Sequence, residues 1–231
     1  MDERKSLSRR LEEGDLDETL ARLRGGEGPD GRRARCAEVL AGFAESFGGE
    51  PEALFSAPGR TELGGNHTDH QHGRVLAAAV NLDLLAAASP NQSGFIRIQS
   101  QGYPLLEVEL GDLLSRPEEK NTSAALIRGV AARLQEMGCP LEGRGLEAYV
   151  ISDVPGGSGL SSSAAFEVLV GVMLSELFWD GKCTPVELAQ VGQYAENVYF
   201  GKPCGLMDQT ASSVGGVVAI DFADPAHPVV E

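Results

Sequence analysis

Along residues 1–24, Leu7, Leu11, Leu16, Leu20 and Leu23 recur every three to five positions among charged neighbours. That spacing predicts an amphipathic helix or helix pair, interrupted near Gly14. Gly25 to Gly31, with four glycines and a proline, is a break. Residues 32–47 predict a second helical stretch with Ala34, Val39, Leu40, Phe43 and Phe47 on its apolar side, stopped by Gly48-Gly49. From Ala53 the texture changes. Leu54-Phe55-Ser56 predicts a short strand leading into a polar loop, and the apolar run Val75 to Ala88 predicts a buried strand, although its alanines also allow helix. Phe95 to Gln99 and Leu106 to Leu110 alternate apolar and polar positions, as strands with one wet face do. An amphipathic helix over Ala124 to Met137 closes at Gly138, and Leu146 to Ser152 predicts another strand. Phe166 to Phe178 reads as a buried helix. Thr184-Pro185-Val186-Glu187 carries a capping box with proline at the first helical position, opening a helix that runs to about Tyr199. Gly216 to Asp221 predicts a last strand. Clustered strands followed mostly by helices indicate an α+β fold.

Composition narrows the partners. The formal net charge is −15, which disfavours a nucleic-acid backbone or an anionic membrane. A phosphate-bearing ligand must then be held locally, by backbone amides, a helix N-terminus or a bound cation. Cys36, Cys139, Cys183 and Cys204 are widely spaced and form no Cys-x-x-Cys pair, the usage of reduced thiols in a cytoplasmic protein. The charged start from Met1 to Lys5 has no apolar signal core, and no run in the chain approaches membrane-spanning length.

Two stretches carry the chemistry. Ala57-Pro58-Gly59-Arg60-Thr61-Glu62-Leu63-Gly64-Gly65-Asn66-His67-Thr68-Asp69-His70 sets a guanidinium, an amide, an imidazole and a carboxylate in a frame of glycines. Such charges are not desolvated together without partners, so the stretch is either a solvated turn or the wall of a polar site. Pro155-Gly156-Gly157-Ser158-Gly159-Leu160-Ser161-Ser162-Ser163-Ala164-Ala165 lies between a predicted strand and a predicted helix. Glycines let successive amides turn inward, and a helix start adds partial positive charge. It is not a Walker A loop, because no lysine follows the glycines. A flexible linker has the same composition but does not abut a long apolar helix directly after a strand.

The serine-rich loop resembles the phosphate-binding motif of the GHMP small-molecule kinases. The Arg60 stretch resembles the galactokinase signature, and Cys204-Gly205-Leu206-Met207-Asp208-Gln209 is similar to a third segment of that family. The three motifs stand in the family's order and cover residues 53–222 nearly continuously. The resemblance implies a two-layer GHMP N-terminal domain over residues 51–231, a mixed sheet with helices on one side, preceded by a helical extension over 1–50. It implies transfer of a phosphoryl group from ATP to the anomeric hydroxyl of galactose. Asp208 would be the base or orienting carboxylate, and Arg60 would lower the pKa of that hydroxyl or neutralise charge on the phosphoryl group. Asn66, His67, Asp69 and Gly205 would contact the sugar. Gly156, Gly157, Ser158, Gly159, Leu160, Ser161, Ser162 and Ser163 would cradle the nucleotide, with Ser163 and Glu196 holding Mg²⁺. Glu196 could equally be a solvated helix glutamate. Such chemistry rests mostly on positioning and electrostatics.

The chain departs from the family's pattern in places. Asn66 stands where Glu is usual and His70 where Tyr is usual, and Asn121 to Gly129 differs from a segment that often helps hold adenine, leaving the base contacts unassigned. No counterpart of the family's C-terminal glycine motif precedes Glu231, so the expectation is an N-terminal portion with little kinase activity alone. Alternatives are a sugar- and ATP-binding regulator on the same fold, or a kinase for N-acetylgalactosamine or another hexose. A metal hydrolase built on His67, Asp69, His70 and His72 would leave the serine-rich loop unexplained.

Overall fold

The computed structural model describes residues 5–23, 28–66, 68–224 and 226–231, without the side chain of His70. Residues 1–4 of the charged start, residues 25–27 of the glycine break and His67 therefore lie outside the described residues. The elements in chain order are α1 (Leu7–Glu12), α2 (Asp17–Leu23), α3 (Pro29–Phe47), β1 (Ala53–Gly64), β2 (Arg74–Asn91), β3 (Phe95–Ser100), β4 (Leu106–Glu109), α4 (Ser123–Glu136), β5 (Gly145–Ser152), α5 (Ser162–Trp179), α6 (Pro185–Tyr194), α7 (Met207–Val214), β6 (Val217–Asp221) and β7 (Val229–Val230). A π-helical turn, Ala195–Phe200, continues α6.

The strands form one seven-stranded mixed sheet, and β2 is its spine. β1 runs antiparallel along one edge of β2, from Ala53 opposite Ala88 to Gly64 opposite Leu76. The other edge is divided: Leu84 to Asn91 pair with β5, and Arg74 to Ala78 pair with β6. β3 lies parallel to β5 and antiparallel to β4. The apolar run from Val75 therefore resolves as strand, because both of its edges find partners and its alanines allow close packing. Arg60 sits on β1 and not in a loop, since the strand continues through the polar stretch to Gly64 with register shifts at Pro58/Arg60 and Glu62/Gly64. Such irregularities re-aim side chains next to functional sites.

The main core lies between the sheet and α4–α6, where Leu84, Ala86, Ile96, Ile98, Leu146 and Val150 meet Ile127, Leu169, Met173 and Val191. Against the expectation that no run approaches membrane-spanning length, helix α5 is long and apolar enough to cross a membrane by length and composition, but two-thirds of it is buried in this core. Helices α1–α3 cover part of the opposite face, with Val39, Leu40 and Phe43 against Leu85, Ala87 and Ile151. They are clamped there by Arg35, which donates to the Asp83 carboxylate and, at 2.9 Å, to the Asp83 carbonyl. At the other end of β2, Val75, Ala77, Val218 and Ile220 pack against Met207 and Ala211 of α7. This packing brings the start of α7 beside β1.

Candidate active site

Three segments far apart in the chain converge on one point. The Arg60 side chain projects from β1 and is 10% exposed. Its Nε donates to Asp208 Oδ1 at 2.7 Å and its Nη2 to Asp208 Oδ2 at 2.6 Å. The third nitrogen, Nη1, donates to the carbonyl of Gly159 at 2.6 Å. A planar guanidinium fork matched to a carboxylate in this way fixes orientation as well as charge. Asp208 lies in the first turn of α7, where the helix dipole favours a negative group. Ser161 completes the set by donating its hydroxyl to Asp208 Oδ2.

The serine-rich loop runs from β5 to the start of α5. Gly157 and Gly159 have φ of +70° and +80°, and Ser161 has φ of +54°. Left-handed residues alternating with ordinary ones turn backbone amides into a concave anion nest. Ser161 occupies the N-cap position of α5 yet makes no side-chain cap, because its hydroxyl is spent on Asp208. The opening amides of an 18-residue helix are thus left uncapped by that side chain, as an anion site requires. The Ser158 hydroxyl turns back to the Pro155 carbonyl at 2.7 Å and stiffens the loop. Ser162 and Ser163 are half-buried on the first turn of α5.

Asp69 is buried on a short 3₁₀ turn, Thr68–Gln71. Its Oδ2 accepts from the backbone N–H of Met207 at 3.2 Å. A Cβ on Gly205 would collide with that same oxygen, so a glycine is required there. Asn66 is exposed in a left-handed conformation, φ +54°, which asparagine tolerates better than most residues. Arg60, Asp69, Gly159, Ser161, Gly205 and Asp208 are therefore brought together, while His67 lies outside the described residues.

Glu196, on the π-helical turn, is only 3% exposed and is not a solvated helix glutamate. Its Oε1 accepts from Lys202 Nζ at 3.3 Å and its Oε2 from Gln209 Nε2 at 3.0 Å, and the Cys204 thiol is a further partner. Residues that the sequence reading passed over complete the surroundings. Glu167 is 1% exposed on α5, and burial, reinforced by the charge of Glu196, pushes its carboxyl well above the ordinary range. Its carboxylate near the start of a mostly apolar helical run, which also holds Glu176 near its end, was the available signal. A cavity of about 530 Å³ also opens beside the serine-rich loop, lined by Tyr103, Pro104, Leu106, Ser123, Gly156 and Phe166.

Comparison with known proteins interprets this geometry. Residues 41–90 match the galactokinase galactose-binding signature, and residues 125–216 match the GHMP kinases N terminal domain. The chain is 37% identical over 181 residues to the galactokinase of Lacticaseibacillus casei strain BL23, covering 77% of this chain and 46% of that one. It is 40% identical over 185 residues to the galactokinase of Streptomyces coelicolor, covering 79% and 47%. The chain belongs to the galactokinases of the GHMP kinase superfamily. It spans about half the length of the curated galactokinases it matches. Lactococcus lactis galactokinase, crystallised with galactose, superposes with a TM-score of 0.75 at 27% identity, over 85% of this chain and 51% of that one. Methanococcus jannaschii mevalonate kinase shares the fold, with a TM-score of 0.62 at 17% identity over 74% of this chain and 54% of that one. In this chain the signature match contains Arg60, Asn66 and Asp69, and the N-terminal-domain match contains the serine-rich loop, Glu196 and Asp208.

Proposed function

We propose that this chain, joined to the remaining half that its relatives possess, transfers the γ-phosphoryl group of ATP to the anomeric hydroxyl of galactose. One observation carries the reading: Arg60 bridges the Asp208 carboxylate and the Gly159 carbonyl. A group able to accept a proton and a group able to neutralise developing phosphoryl charge thereby meet at the lip of an anion nest. In the reaction the hydroxyl gives its proton to Asp208, its oxygen bonds to the γ-phosphorus, and ADP leaves with the electrons of the broken P–O bond. Asp69, Asn66, His67 and the backbone at Gly205 hold the sugar. Amides and hydroxyls from Gly156 to Ser163 hold the phosphates, and the cavity beside Tyr103 and Phe166 receives the base.

Ser163 and Glu196 offer a hydroxyl and a carboxylate, hard oxygen donors that suit Mg²⁺. Ser163 lies one turn before Glu167 on α5, and Glu167 shares the Gln209 amide with Glu196, so both donors belong to one wall. Bound there, the ion would offset phosphate charge in a chain of net charge −15. Four cysteines that form no disulfide support a reducing, cytoplasmic setting.

A coupled assay of ADP release across a hexose panel tests the proposal, with Asp208→Ala and Arg60→Ala as controls. Galactose-dependent release that both substitutions abolish is the expected result. A preference for N-acetylgalactosamine would move the substrate, and binding of galactose and ATP without turnover would make this a regulator.

A further inference from the structure

Next to the Arg60–Asp208 pair lies a second polar cluster, enclosed by α5, α6 and α7. Gln209 is fully buried and Glu167 is 1% exposed. The Gln209 Nε2 donates to Glu167 Oε2 and to Glu196 Oε2, each at 3.0 Å. An amide nitrogen carries two hydrogens, and the two carboxyl groups are its shortest partners, with Cys204 Sγ farther off at 3.7 Å. Gly192 on α6 makes the room: a Cβ there would stand 3.1 Å from both Glu167 Oε2 and Gln209 Cγ.

Packing alone does not account for the cluster. Glu167 Oε1 and Gln209 Oε1 are buried without a hydrogen-bond partner, a loss that apolar side chains of the same shape would avoid. What the arrangement achieves is orientation. With Glu167 as acceptor, Gln209 must turn its nitrogen, not its oxygen, toward Glu196. If the amide flipped, its carbonyl oxygen would face that carboxylate and repel it. Gln209 also follows Asp208 directly in the chain, and Glu167 rides on the helix whose first turn carries Ser162 and Ser163. One amide thus ties together the helix behind the serine-rich loop, the turn bearing Glu196 and the helix bearing Asp208.

We propose that Glu167 is a positioning residue for phosphoryl transfer, acting through Gln209 to aim the Glu196 carboxylate and to fix the start of α7. The inference rests on the kinase reading above. It makes opposite predictions for two substitutions. Glu167→Gln keeps an oxygen that can accept from the Gln209 amide, whereas Glu167→Leu fills the space and releases that amide.

The test pairs two readouts. Electron paramagnetic resonance follows Mn²⁺ binding to this chain with a non-hydrolysable ATP analogue, and steady-state kinetics follow the chain joined to its second half. Glu167→Leu is expected to weaken Mn²⁺ binding at least tenfold and to lower kcat at least tenfold, while the KM for galactose changes less than twofold. Glu167→Gln should stay within twofold of the unsubstituted protein in all three. Should Glu167→Leu fail to fold, Gln209→Met removes the same donor and carries the same expectation. Unchanged Mn²⁺ affinity and kcat in the leucine or methionine variant would overturn the inference, as would a tenfold loss in Glu167→Gln. If the unsubstituted protein neither binds the nucleotide analogue nor turns over ATP, the kinase reading itself falls.

Discussion

Arg60 and Asp208 are separated by 148 positions, yet two guanidinium nitrogens meet two carboxylate oxygens at 2.6 and 2.7 Å. The pair is asymmetric. The arginine side chain is 10% exposed, whereas Asp208 remains 32% exposed and so is open to a ligand from one side. A buried guanidinium that presents a half-open carboxylate suits a site in which the proton-accepting carboxylate faces a substrate and the cation behind it stays dry.

Geometry of this kind is not preserved by charge alone. Arg60→Lys replaces the planar fork with a point charge and cannot hold both Asp208 and Gly159. In the chain joined to its second half, kcat should fall at least 100-fold. Asp208→Asn keeps the shape but accepts no proton, and a fall of about 10²–10⁴-fold is expected. Steady-state ADP release measures both, and retention of more than a tenth of the original kcat in Asp208→Asn would exclude a proton-accepting role.

The convergence of the three motifs was legible through their resemblance, in order, to the galactokinase pattern; residue type alone left a solvated turn and a flexible linker open. The strand character of Arg60 was not. Pro58, Gly59 and Gly64 read locally as turn residues, and only pairing with β2 overrides them. Glu167 was hidden for a related reason: it is one of two acids in the mostly apolar helix α5, and it is set apart from Glu176 only when Gln209 and Glu196 arrive from elsewhere. The lining of the cavity near Tyr103 was equally unreadable, since it is assembled from β3, the chain after it, α4 and the serine-rich loop.

Gly205 gives a test confined to the sugar side. A methyl group there must displace the Asp69 carboxylate, which also accepts from Met207 N–H. Gly205→Ala should raise the galactose KM at least tenfold and leave the affinity for ATP within about twofold. Isothermal titration with each ligand separates the two effects, and an equal loss of both would show that the residue supports the whole site and not the sugar contact.

The nucleotide side has its own probe in Gly159, whose φ of +80° is hostile to a β-branched residue. Gly159→Val should distort the nest and move the carbonyl that accepts from Arg60 Nη1. Binding of ATP is expected to weaken at least tenfold while galactose binding persists. Intact ATP affinity in this variant would argue that the loop does not touch the phosphates.

Stability away from the site should respond to acid through Glu119. Arg128 on α4 is 2% exposed, and its Nε and Nη2 donate to Glu119 at 2.8 and 2.7 Å. The hydrogen bond from Arg128 holds the Glu119 carboxyl below its ordinary value of 4.5, against the opposing effect of burial. A depressed acid contributes stability that is complete above its unfolded value and is lost as pH falls through its folded one. Glu119→Gln leaves a buried guanidinium without its counter-charge and should destabilise the fold by about 3 kcal/mol at pH 7. The gap between the two proteins should then narrow as pH drops below about 4.5, because the unsubstituted protein loses the same contribution on protonation. Urea unfolding at a series of pH values measures this, and a gap that stays constant down to the acid limit would mean that the pair contributes through packing and not through charge.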